Sequence, residues 1–217
     1  MNAINGIGMT SQRTRARMIE RLREQGIRDE RVLTAMASVP RHVFLEAAVA
    51  HRAYEDTALP LGFGQTISQP YVVARMLELL IAGRELGKTL EVGAGCGYQA
   101  AVLAMLTKQV YAVERIAPLL ARARENLRQI GLTQIRLKHA DGINGLPEAA
   151  PFDTIIVAAA SAGVPKALVD QLAPGGRLMV PVGILDQALC LVERGASRLV
   201  ETRFDPVRFV PLLPGVE

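Results

Sequence analysis

Three carboxylates and one glycine-rich turn are the residues of this chain best placed to do chemistry. In "LEVGAGCGYQAAVLA", Glu91 stands two residues before Gly93, and Gly95 and Gly97 follow. Such a turn lets a ligand approach the backbone, and the helix that opens at Tyr98 offers free amide donors. A dinucleotide-binding turn wants a third glycine where Tyr98 stands, which disfavours NAD. An acid at Glu91 would repel a pyrophosphate and suits a cation or an ammonium group. Glu114 ends the stretch "QVYAV" and can accept a ribose diol. Asp141, in "KHADG", lies where a carboxylate and its neighbouring backbone can hold an adenine amino group. Each acid alone reads more readily as a surface carboxylate than as a ligand, and the glycines alone can be read as a tight strand-to-helix turn. Together they describe a site for adenosine bearing a cationic amino-acid tail.

The elements that must carry these residues are legible from periodicity. Strands are expected at "KTLEV", "QVYAV", "QIRLK" and "DTIIVAA", separated by helical patterns at about 98–106 and 116–130 and a looser connection from Asp141 to Pro151. Pro118 and Gly131 frame the second of those helices. Strand alternating with helix implies right-handed crossovers and a mostly parallel sheet, with ligands at the carboxyl ends of the strands. A short helix in "VPKALVDQL" and a turn at "APGG" follow. Then "GRLMVPVG", "QALCLVERG" and "RLVETRFDPVRFVPL" read as strands with short connections, so the far edge of the sheet should be antiparallel. Upstream, helices at about 12–25 and 29–39 end at Gly26 and Pro40. Residues 40–69 show little periodicity. Pro70 opens a helix whose Val72, Val73, Met76, Leu77 and Leu80 share a face.

Composition narrows the function classes. A chain of 217 residues, 50% hydrophobic, can bury one full core, and the expectation is a single domain over 1–217. Within it, about 1–69 would hold the helical extension and active-site segment, and about 70–217 the ligand-binding core. No leader or membrane span is evident, and Cys96 and Cys190 give neither a disulfide framework nor metal spacing. A soluble cytoplasmic protein without a metal is expected. The formal charge of +4 raises the possibility of nucleic acid. However, Glu20, Glu24, Asp29 and Glu30 are interleaved with the basic residues at helical spacings, and base-stacking aromatics are scarce. No dedicated nucleic-acid partner is expected. His42, His51 and His139 stand at unrelated spacings and read as surface or packing residues.

The sequence acid-x-Gly-x-Gly-x-Gly, then a strand-end acid, then Asp-Gly, resembles the Rossmann-like class of S-adenosyl-L-methionine-dependent methyltransferases over about Lys88 to Gly183. The fourth strand runs into "VAAASAGVP" and not into the Asn/Asp-Pro-Pro-aromatic motif typical of adenine and glutamine methylation. "ALPLGFGQTISQPYVVARMLELL", with "VPRHVF" upstream and "PFDTIIVAAA", "VPKALVDQLAPGGRLMVPVG" and "VRFVPL" downstream, closely resembles the protein-L-isoaspartate O-methyltransferase family. The resemblance covers roughly Met18 to Leu212. It implies methyl transfer from S-adenosyl-L-methionine to the free α-carboxyl of L-isoaspartyl residues in aged proteins and peptides, with S-adenosyl-L-homocysteine as product, by a monomer.

Residue by residue, the resemblance implies that Ser68 is the active-site hydroxyl and that Gln65, Thr66 and Ile67 line the space between cofactor and acceptor. Gly93, Gly95, Cys96, Gly97 and Tyr98 would meet the cofactor with Glu91, Glu114, Asp141 and Gly142. Ile67, Ser68 and Val210 would meet the acceptor, and Leu213 would lie near the cofactor. The chemistry suits a segment without charge. A carboxylate with an ordinary pKa near 4 is ionised at neutral pH and needs no general base, and a dry, uncharged pocket does not hold it back. Alignment alone can supply of order 7–11 kcal/mol. Ser68 also reads as an N-cap of the Pro70 helix. Two rivals stay open: a nucleic-acid or small-molecule methyltransferase, and a cofactor-binding module without turnover.

Overall fold

The computed structural model describes residues 6–217. The first five residues of the stretch examined for a leader lie outside the described residues. Helix α1 (Gln12–Glu24) starts where the Ser11 hydroxyl accepts the Thr14 amide, and it buries Met18, Ile19 and Leu22. Helix α2 (Glu30–Ser38) is capped by the Asp29 carboxylate on the Arg31 amide, buries Val32, Leu33 and Met36, and stops before Pro40. Both match the expected spans to within a residue. Three of the four interleaved acids pair with arginines: Arg23 meets Glu20 and Glu30, each at 2.7 Å, and Arg31 meets Asp29. Exposed pairs of this kind add little stability, but they leave those arginines already committed to acids.

The stretch without periodicity is structured. It holds a tight helical turn at Arg41–Phe44, a short helix α3 (Ala47–Ala50), and a hairpin of β1 (Leu59–Gly62) and β2 (Gln65–Ile67), with Leu59 paired to Ile67. Strands of four and three residues are too short to show alternation. At the hairpin tip Gly62, Phe63 and Gly64 all have positive φ, and Phe63 at +55° is the non-glycine exception. Helix α4 (Pro70–Ile81) then buries Val73, Met76, Leu77 and Leu80.

The main sheet joins β3 (Thr89–Val92), β4 (Val110–Glu114), β5 (Arg136–His139), β6 (Phe152–Val157), β7 (Leu172–Val182), β8 (Gln187–Arg194) and β9 (Leu199–Val207) in the order β5-β4-β3-β6-β7-β8-β9. Pairings from β5 to β7 are parallel, and β7-β8 and β8-β9 are antiparallel. Helices α5 (Tyr98–Leu106), α6 (Ala117–Gln129) and α7 (Lys166–Asp170) supply crossovers. The α/β fold with a mostly parallel sheet, an antiparallel far edge and a helical extension is the one expected.

Two details differ from the sequence reading. "APGG" is not a turn between elements: β7 already starts at Leu172, paired to Phe152, and the register shifts before Arg177 meets Thr154. The last strand stops at Val207 and does not reach Leu212. Its ladder ends where Val207 meets Gln187, the first residue of β8, so the chain beyond has no strand to follow. It crosses instead to the end of β6, where the Ala160 amide donates to Val210 and the Leu212 amide to Ala160, at 2.8 and 2.7 Å.

Candidate active site

Strand β3 is where the strand order reverses, since β4 and β5 lie to one side and β6 to the other. Its carboxyl end is the place an open α/β sheet offers to a ligand. Gly93, Gly95 and Gly97 there have φ of +89°, +53° and +88°, a region that favours glycine. Gly97 also closes the packing, because a Cβ on it would stand 3.2 Å from Ala123 Cβ and 3.3 Å from Leu127 Cγ.

The three acids turn out to be differently employed. Glu114, the last residue of β4, accepts the Gly95 amide at 2.8 Å and the Ile116 amide at 2.9 Å. Asp141 accepts Ile143 N at 2.9 Å and, from the far end of the chain, Gly215 N at 2.8 Å. Glu91 is fully buried, and neither carboxylate oxygen has a hydrogen-bond partner. Burial pushes its carboxyl well above the ordinary range, and the nearby Glu114 charge adds to this while Gln99 opposes it. Gln99 Nε2 beside it is also buried without a partner. Buried polar groups in native proteins nearly always find partners, so this cluster points to a polar ligand.

A cavity of about 840 Å³, its open mouth included, lies against the cluster. Gln65, Thr66, Ile67 and Ser68 line it. So do Glu91, Gly93, Gly95, Cys96 and Tyr98 from the glycine loop, Glu114 and Gly142, and Val210 and Leu213 from the C-terminal segment. Of the expected site residues, Gly97 and Asp141 stand outside this lining. Gly142 belongs to it and is held close to β3: a Cβ there would fall 2.6 Å from Val92 Cγ1. Gln99, Arg115 and Leu61 line the cavity and were missed in the sequence. Gln99 had a signal, since it follows Tyr98 on the first turn of the glycine-loop helix. Leu61 belongs to the hairpin that had none.

A second cleft meets the first at Thr66, Ser68, Ala158 and Val210, and it runs on past Tyr71 and Arg75 to Leu185 and Asp186. Ser68 thus stands on the wall that both share. The cap position of α4 is Gln69, whose side chain makes no cap bond, and the first-turn amide at Tyr71 is taken instead by Asp56 Oδ1 at 2.9 Å. The Ser68 hydroxyl is therefore not spent on capping. Among the described residues no group of three or more His, Cys, Asp or Glu is placed to hold a metal ion, and no helix is long and apolar enough to cross a membrane. The thiol of Cys96 is buried and pushed up to about 11 by that burial.

The model of the protein-L-isoaspartate(D-aspartate) O-methyltransferase family matches residues 13–217. The chain belongs to this family. The protein-L-isoaspartate O-methyltransferase of Dechloromonas aromatica (strain RCB) is 70% identical over 215 residues, which span 99% of this chain and 100% of that protein. That of Aromatoleum aromaticum is 66% identical over 97% of this chain and 96% of its own length. A solved Plasmodium falciparum structure, described as a protein-L-isoaspartate O-methyltransferase in complex with S-adenosyl-L-homocysteine, superposes with a TM-score of 0.82 at 25% identity. It covers 92% of this chain and 98% of that one. Family membership and the geometry agree on the ligand, since a buried acid without a partner suits an ammonium group and the glycine loop suits the adenosine.

Proposed function

We propose that this chain transfers the methyl group of S-adenosyl-L-methionine to the free α-carboxyl of L-isoaspartyl residues in damaged proteins and peptides, leaving a methyl ester and S-adenosyl-L-homocysteine. The observation that carries this reading, beside family membership, is that the chargeless stretch Gln65–Ser68 lines the first cleft, and that Thr66 and Ser68 within it line the second cleft as well. Bound in the first cleft, the cofactor supplies a methyl group made electrophilic by its sulfonium. Every other part of the task falls to this chain's own side chains and backbone.

Glu91 would hold the ammonium of the amino-acid tail, which gives its buried carboxylate the counter-charge it lacks. Gln99 stands ready as a donor beside it. Glu114 keeps lone pairs for the ribose after bracing Gly95. Gly142 and its neighbour Asp141 would border the adenine, and Cys96 and Leu213 would pack on the cofactor. On the acceptor side, Ile67 and Ser68 would border the carboxylate, with the Ser68 hydroxyl as an orienting donor. Val210 has its carbonyl occupied by the Ala160 amide, so its contribution to the substrate would come from its N–H.

No proton has to be removed from an ionised carboxylate, and neither cleft is lined by His or Lys among the described residues. Orientation and exclusion of water are what the residues provide. The extension and the sheet share one apolar core from Met18 through Leu191, which supports a single domain over the chain. Two buried free cysteines suit a reducing cytoplasm, and a monomer is what the family resemblance implies.

The test is methyl transfer from labelled S-adenosyl-L-methionine to two matched peptides, one isoaspartyl and one aspartyl. A base-labile ester on the isoaspartyl peptide alone is the expected result. Equal or absent transfer with cofactor binding intact would overturn the acceptor assignment, and transfer to nucleic acid or a small molecule would replace it.

A further inference from the structure

No residue of the motif "VPRHVF" has been given a role in the site, yet its Arg41 side chain is fully buried. The charged groups and dipoles that face it are those of Tyr98, Cys96 and Tyr54, and no carboxylate is among them. Isolated buried charge is costly, and an apolar side chain of similar volume is often at least as stabilising. A guanidinium kept here calls for a task that its fork geometry alone performs.

Its bonds identify that task. Nη2 donates to the Ser68 carbonyl at 2.8 Å and Nε to the Ala53 carbonyl at 2.8 Å. The guanidinium also lies over the Tyr98 ring, 4.8 Å from its centroid. Ser68 sits between the last residue of β2 and the start of α4, so its carbonyl belongs to neither the ladder nor the helix. Tyr98 opens the glycine-loop helix and lines the first cleft. Arg41 itself lines neither cleft, so its charge stays behind the wall and off the acceptor carboxylate. One side chain thereby fixes the backbone of Ser68 relative to the wall that faces the cofactor.

We infer that Arg41 is a positioning residue for methyl transfer, acting through Ser68. This rests on the proposal that the Ser68 hydroxyl orients the acceptor. Lysine, with a single point of charge, cannot bridge two carbonyls and stack on a ring at once.

The test is a double-mutant cycle in the full chain: Arg41→Met, Ser68→Ala and the double variant. Readouts are turnover on the isoaspartyl peptide, S-adenosyl-L-homocysteine affinity by calorimetry, Tm, and amide exchange over 65–70. Arg41→Met leaves the Ser68 and Ala53 carbonyls without their donor, so Tm is expected to fall by about 5 °C, while cofactor affinity is kept, exchange at 65–70 quickens, and kcat falls by about 30-fold, within the loss a misplacement of about 1 Å produces. In the Ser68→Ala background it should lower kcat less than about twofold further, because residues acting through one another are not additive. A purely structural role would instead multiply the two losses, and that result, or a kcat for Arg41→Met near wild type, overturns the inference. If Arg41→Met does not fold, Arg41→Lys carries the same cycle with the same criteria. Transfer by the wild type with multiplying losses sinks the positioning role alone, whereas no transfer by the wild type sinks the acceptor assignment and this inference with it.

Discussion

The carboxylate of Glu114 accepts the amide of Gly95 at 2.8 Å, so the end of β4 holds the middle of the glycine loop carried by β3. Its second oxygen takes the Ile116 amide at the start of α6. Glu114→Gln would set an NH2 against one of those two amides. Losing a hydrogen bond to a charged group costs about 1.5–3 kcal/mol, and for a chain of this size that lowers Tm by roughly 4–10 °C. Affinity for S-adenosyl-L-homocysteine should fall at least tenfold, measured by calorimetry. Unchanged affinity would show that the loop does not need this brace.

Glu91 couples pH to both stability and binding. Its carboxyl is raised well above the ordinary value of 4.5, by burial first. Between that value and the raised one, the folded state holds a proton that the unfolded state has lost. The slope of stability against pH is then negative, and this contribution, intact below about 4.5, is lost as pH rises through the folded value. Glu91→Gln should flatten that loss and raise Tm at neutral pH. An ammonium ligand favours the carboxylate, so binding should release a proton and tighten with rising pH in the wild type. The variant should bind weakly and without that slope. Calorimetry in buffers of different ionisation enthalpy measures the released proton, and none released would rule out Glu91 as the ammonium site.

Ser68→Ala separates orientation from folding. Since α4 takes no side-chain cap from this position, Tm should move by less than about 2 °C, the ordinary range for a change outside caps and core. Loss of one hydrogen bond to an ionised acceptor, about 1.5–3 kcal/mol, corresponds to a kcat roughly 10- to 100-fold lower. Cofactor affinity should be unchanged. A large drop in Tm with normal turnover per folded molecule would assign Ser68 to structure.

Periodicity made the parallel sheet and its crossover helices legible because strands and helices of ordinary length alternate with clean breaks at Gly and Pro. The glycine loop was equally legible, since only positive φ at Gly93, Gly95 and Gly97 explains three such residues in five. What stayed hidden depends on distant partners. The β1-β2 hairpin has too few residues for a pattern. The second partner of Asp141 is Gly215, reached only after the tail leaves the sheet. Arg41 reads as an ordinary charge after a proline until folding encloses it under Ser68 and Tyr98.

Cys96 lines the cofactor cleft, yet it should be inert. With its thiol pushed up to about 11, only about one part in a thousand is thiolate at pH 8. Iodoacetamide at pH 8 should leave Cys96 unmodified in the folded protein and label it after unfolding, as read by peptide mass spectrometry. The loop is anchored there through backbone, the Cys96 carbonyl accepting Asn126 Nδ2 at 2.9 Å. Cys96→Ser should therefore keep cofactor affinity within about threefold, since it removes no polar partner and the buried volume changes little. Rapid labelling of the native protein would contradict the enclosure described for this thiol.

Asp141 ties the cofactor side of the sheet to the C-terminal tail. Through Gly215 it holds the segment that follows Leu213, and Arg115 secures the same segment by donating to the Gly215 carbonyl at 3.1 Å. Leu213 lines the first cleft, so a loosened tail opens one side of the cofactor cavity. Asp141→Ala should speed S-adenosyl-L-homocysteine release by about 10-fold, the effect of losing roughly 1.4 kcal/mol of bound-state stabilisation. Asp141→Asn, which retains an oxygen acceptor, should fall between. If the effect runs through the tail, removing residues 214–217 should produce the same release rate, and Asp141→Ala in that shortened chain should add nothing. If instead the two changes multiply, Asp141 acts on the cofactor side apart from the tail, through the adenine or through the Ile143 amide that it caps beside Gly142, because the tail contact would already be gone and only a separate contact could account for a further loss.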